Sequence, residues 1–177
     1  RRIETRPSIM NLLVRLKGGK AGRRLVFNGH LDTFGIGDAA SWTVPPLGGT
    51  IREGRIYGRG VSDMKAGLAA ALLTVDLLWP LRKTLAGELV LAFAGDEETG
   101  GTWGTKYLLE NVSEASGDAM ICGDAGSPRV IRFGEKGQMW IEVRARGRAA
   151  HGAHVHLGAN AIERLIEALT RIRGLAK

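Results

Sequence analysis

Short apolar runs alternate with helix-forming stretches between residues 23 and 124, and no other feature restricts the fold of this chain as much. RRLVFNGH (23–30) and GELVLAFAG (87–95) are short and rich in strand formers, the second apolar towards both sides. Between them, SDMKAGLAAALLTVDLLW (62–79) has good helix formers, a Ser/Asp start and Pro80 as a stop. Its apolar residues run almost all the way round, which predicts burial on most sides. GGTIREGRIYG (48–58) reads as a hairpin turning near Glu53-Gly54, TWGTKYLLENV (102–112) as a short helix and DAMICGD (118–124) as a strand. Such alternation requires crossovers, so the expected fold class is α/β: a three-layer α/β/α domain with a mixed, largely parallel sheet.

The pattern changes near Gly134. GQMWIEVRARG (137–147) alternates as a half-buried strand does, with Trp140 read as a packing residue. GANAIERLIEALTRIRG (158–174) lines up Ile162, Leu165, Ile166, Leu169 and Ile172 on one face. One strand and one helix cannot cover each other, and about 40 residues is the lower limit for an unaided domain. Residues 1–136 are therefore expected to be one partial domain, and 137–177 the beginning of a second. The opening RRIETRPSIMNLLVRLKG reads like internal sequence, so the chain looks truncated at both ends.

Charge adds little to this. The net +7 of the 177 residues comes from positions 1–24, with eight Lys/Arg and one acid; the rest carries seventeen of each sign. No aromatic interleaving accompanies it, so no nucleic-acid partner is expected. No stretch approaches the ~20 apolar residues of a membrane span, and no signal-peptide layout is seen, so a cytoplasmic protein without a membrane partner is expected. The single Cys122 has neither a disulfide partner nor a second thiol for a metal site, and reads as a small strand residue. Gly-x-Ser-x-Gly, P-loop and dinucleotide fingerprints are absent.

In open parallel sheets functional groups collect at the carboxyl ends of strands. Here those ends carry His30 and Asp32 in FNGHLDT, Glu97 and Glu98 in AGDEETGG, and Asp124 in ICGDAG, with Asp63 where a loop meets the long helix. So many carboxylates on one rim call for cations, and with imidazole the set suits Zn, Mn or Co better than Mg. In extended chain, His30 and Asp32 face the same side, which lets Asp32 accept from the ring N–H turned away from a metal. Glu97 and Glu98 point opposite ways, so one suits a ligand and the other a base.

GHLDT, GRGVSDMKAGLAAAL, DEETGG and HGAHVHLGANAI, in that order, resemble the dinuclear-metal amidohydrolases. This family includes acetylornithine deacetylase, succinyl-diaminopimelate desuccinylase, aminoacylase-1 and carboxypeptidase G. The resemblance implies two divalent ions, zinc foremost with Co or Mn as alternatives, and an inserted lid domain that forms a homodimer. It implies that His30 binds one metal, oriented by Asp32, that Asp63 bridges both with a cis peptide after it, and that Asp124 completes the first. It makes Glu98 the ligand of the second metal, Glu97 the general base, and His151 the lid histidine that steadies an oxyanion. The expected activity is hydrolysis of amide-type C–N bonds in N-acyl amino acids or dipeptides. Nothing here matches the family's last histidine ligand, so the alternative is a non-catalytic or truncated, dimerisation-competent fragment. His154 and His156 read as loop residues rather than substitutes. Asp124 stands where deacylases of the family usually have glutamate, and GDAGSP replaces their G-E-P-T.

Overall fold

The computed structural model describes residues 1–127 and 129–175. The chain forms two compact units, Arg1–Val130 and Ile131–Lys177. In the first, β1 (Arg2–Arg6), β2 (Ile9–Lys17), β3 (Lys20–His30), β6 (Ala86–Ala94) and β7 (Ala119–Cys122) make one sheet in the order β1-β2-β6-β3-β7. β3 pairs in parallel with β6 and β7, whereas β2 pairs antiparallel with β1 and β6, so the sheet is mixed. β4 (Thr50–Arg52) and β5 (Arg55–Tyr57) form the expected hairpin, closing at Glu53-Gly54.

The alternation of β6 sets up two cores. Leu89, Leu91 and Phe93 face α1 (Ala66–Leu78) and pack with Met64, Leu68 and Ala71. Val90, Ala92 and Ala94 face the other way, against Leu108 of α2 (Thr105–Asn111), Val112 and Ala115. Helices on both faces make the three layers. β6 lies at the centre because both its faces are apolar.

α1 departs from expectation. Regular helix starts at Ala66, after an irregular turn over Val61–Lys65. Only the stripe of Leu68, Ala71, Val75 and Leu78 meets the sheet; Leu72, Leu73 and Leu77 are 51%, 57% and 66% exposed rather than buried. The 21-residue stretch Val61–Leu81 is also long and apolar enough to cross a membrane by length and composition, contrary to the sequence reading.

β7 is exposed along its length, Cys122 included, so hydrophobic patterning does not fix its register. A reciprocal pair does so: Arg24 N–H donates to the Asp118 carboxylate at 2.7 Å, and Asp118 N–H donates to the Arg24 carbonyl at 2.9 Å.

In the second unit, α3 (Ala161–Leu175) forms, with Asn160 accepting from the Ile162 N–H at its start. The strand expected over 137–147 does not form. Among the described residues no neighbour pairs with it, and unpaired backbone groups do not make a strand. Trp140, expected to pack, is 88% exposed, and Ile162, Ile166, Leu169 and Ile172 of α3 are exposed too.

Candidate metal centre

Register brings the site together. His30 pairs with Ala94, so β3 and β6 end level; Asn28 pairs with Cys122, so Asp124, two residues on, stands beside His30. The fourth contributor arrives from the start of α1. A Cβ on Gly67 would lie 1.9 Å from the Gly123 carbonyl oxygen, so only glycine lets the first turn of α1 approach the end of β7. That approach sets Asp63 beside Asp124.

The His30 side chain is 2% exposed. Its Nε2 lies 2.8 Å from Asp63 Oδ1 and 3.9 Å from both Asp124 Oδ1 and Glu97 Oε2. Ligand atoms of His30, Asp63 and Asp124 all fall within 4.8 Å of one another. One buried imidazole and two exposed carboxylates form a three-donor set with an open side, which suits a borderline divalent cation. The Asp63–Met64 peptide is cis, and Met64 is buried, its sulfur accepting from the His30 backbone N–H at 3.1 Å.

Asp32 acts differently from the sequence expectation. His30 Nδ1 contacts the Asp32 backbone carbonyl at 3.0 Å, with the carboxylate farther off at 3.5 Å. That carboxylate instead accepts from the backbone N–H groups of Glu97 and Glu98, at 3.2 and 3.0 Å. Asp32 therefore orients the ring through its main chain and holds the acidic loop through its side chain.

Glu97 is exposed and faces the His30 ring, whereas Glu98 is half-buried and accepts from Phe34 N–H at 3.2 Å. Glu98 is thus outside the three-donor group, and the two neighbours differ in surroundings as their alternation requires. Burial opposes protonation of His30, but hydrogen bonds to Asp63 and the Asp32 carbonyl, with the charges of Glu97 and Asp32, outweigh it and raise its pKa. Burial also raises the Glu97 pKa; His30 opposes this, while the charges of Asp124, Glu98 and Asp32 add to it.

His151 lies in the second unit, where its Nδ1 accepts from Ala153 N–H at 3.2 Å. His154 and His156 follow in the same exposed turn. Sequence reasoning passed over Asn11, a wholly buried polar residue behind the acidic loop, although an asparagine inside MNLLVRL was the available signal.

The profile of Peptidase family M20/M25/M40 matches residues 26–174. The chain belongs to that family. It is 39% identical over 165 residues to a succinyl-diaminopimelate desuccinylase of Rhodospirillum centenum, covering 90% of this chain and 42% of that protein. A desuccinylase of Paracoccus denitrificans is 37% identical over 171 residues, covering 93% and 44%. The chain thus spans under half the length of these curated relatives. Among solved structures, an M20 family metallo-carboxypeptidase from Sulfolobus solfataricus superposes with a TM-score of 0.55 at 27% identity, over 67% of this chain and 26% of that one. Human carnosine dipeptidase 1 has the same fold, with a TM-score of 0.55 at 21% identity, over 78% and 27% of the two chains.

Proposed function

We propose that this M20 chain carries active-site residues of a metal-dependent hydrolase that cuts amide-type C–N bonds in small substrates. The observation behind this reading is the convergence of His30, Asp63 and Asp124 on one point at the sheet's carboxyl end, with Glu97 alongside. Its desuccinylase relatives favour a succinyl amide as substrate.

His30, Asp63 and Asp124 would hold one divalent cation, zinc in the first instance, and Asp63 with Glu98 would contribute to a second. Bound there, such ions would acidify water and polarise the scissile carbonyl. The chain's own residues do the rest. His30 donates from Nδ1–H to the Asp32 carbonyl, which fixes the tautomer and would leave Nε2 free to hold a cation. Asp32 holds the main chain of Glu97 and Glu98, so the base keeps its place. Glu97 takes a proton from the attacking water and passes it to the leaving nitrogen. His151 would donate to the developing oxyanion, from a homodimer partner's second unit.

A second reading has an observation in its favour. The described chain offers one three-donor set, and Glu98 already accepts a backbone hydrogen bond. This is what a fragment that binds a single ion without turnover would show. Elemental analysis joined to an assay on an N-succinyl amino acid separates the two. The proposed enzyme holds about two ions per chain, and Glu97→Ala keeps them while losing about 10²–10⁴-fold in kcat. One ion and no hydrolysis would favour the fragment, and a fully active Glu97→Ala chain would remove Glu97 from its role.

A further inference from the structure

Behind the acidic loop lies a polar network that no step of the proposed chemistry uses. Asn11, the third residue of β2, is 0% exposed. Its Oδ1 accepts from Gly95 N–H at 3.0 Å, one residue before the acidic triplet. Its Nδ2, with two N–H groups to give, lies within hydrogen-bonding range of three acceptors: the carbonyls of Trp103 and Ile3 at 3.1 and 3.3 Å and Thr5 Oγ1 at 3.3 Å. Thr5 Oγ1 in turn donates to the same Trp103 carbonyl at 2.7 Å. The partners fix the amide's orientation, because only oxygen can face an N–H and only nitrogen can face two carbonyls.

One side chain therefore grips both ends of the segment that carries Glu97 and Glu98. Two other features close that segment. Asp96, at a left-handed φ of 77°, accepts from Trp103 N–H at 2.9 Å and from the Thr99 hydroxyl. A Cβ on Gly104 would fall 2.0 Å from the Gly95 carbonyl oxygen, so the two ends of the loop meet only because residue 104 is glycine. Burying an asparagine is costly unless its hydrogen bonds are made, and here they are made to the base of the loop.

We propose that Asn11 is a positioning residue: with Thr5 it clamps both ends of the 95–104 loop and so sets where Glu97 and Glu98 stand. The role of those two glutamates rests on the hydrolase reading; the clamp does not, since it is read from the loop itself. Amide hydrogen exchange across the chain tests it in Asn11→Ser and in the milder Thr5→Val. Gly95, Trp103 and the amides between them should exchange about tenfold faster or more, while Val26 and Val90 in the β3–β6 ladder keep their rates. Cobalt affinity of the His30, Asp63 and Asp124 group should stay unchanged in Thr5→Val, and hydrolysis should lose kcat with KM held. Unchanged exchange in the loop, or a rise shared equally by the β3–β6 ladder, would overturn the clamp. Loop loosening in a chain that hydrolyses nothing would leave the clamp standing and count against the hydrolase alone.

Discussion

Glu88 shows what a single charged residue does in this sheet. Its carboxylate, 13% exposed on β6, receives Arg15 from β2 at 2.7 Å and Arg24 from β3 at 2.5 Å, so one acid ties three strands. The Arg15 hydrogen bond lowers its pKa; burial opposes this, and Arg24 adds to the lowering. A depressed carboxyl stabilises the fold fully above its unfolded value of about 4.3, and that contribution is lost as pH falls through the folded value. Chemical denaturation from pH 6 to pH 3 should therefore show the wild-type advantage over Glu88→Gln, about 1–3 kcal/mol near neutrality, shrinking as the pH drops. That His30, Asp63 and Asp124 would meet, with Glu97 near them, was legible in the sequence, because each sits at an end that the strand–helix alternation marks. The division of labour within Asp32 was not. Its sequence spacing says where the side chain points, but not that backbone N–H groups 65 and 66 positions later compete for its oxygens.

Elements were readable wherever local pattern and tertiary partner agree. β3, β6 and the β4–β5 hairpin fall where alternation and turn residues put them. The strand expected over 137–147 fails because alternation states a preference for a half-buried ladder, and a ladder also needs a neighbour. α1 fails in a related way: its all-round apolarity is real, yet one stripe alone meets the sheet. The contact at its first turn gives an element-scale prediction. Gly67→Ala must push the start of α1 away from Gly123, separating Asp63 from Asp124 while the buried stripe of Leu68 and Ala71 still holds. Metal affinity by cobalt titration should fall about tenfold or more, with the circular dichroism spectrum preserved.

At the scale of the whole molecule, the two units differ in how well they are supported. Arg1–Val130 carries both cores, whereas residues 131–147 form no regular element and are mostly exposed. Exposed chain without backbone pairing is where proteases cut first. Limited trypsin digestion should therefore cleave among Arg132, Lys136, Arg144 and Arg146 before any site in β2, β3 or β6, and mass spectrometry should find a persistent N-terminal fragment ending in that interval. The sequence signalled a change of character near Gly134, because the apolar alternation there stops being served by helices on both sides. The reciprocal pairing of Asp118 with Arg24 reaches further than its place at the foot of β7 suggests. β7 has four residues and no buried face, so nothing apolar resists its sliding along β3. A slip by one position would turn the Asp124 carboxylate to the far side of the sheet. The address of the candidate metal-binding carboxylate is thus written at the opposite end of its strand, and one extra residue between them would scatter the three-donor group while sparing the architecture.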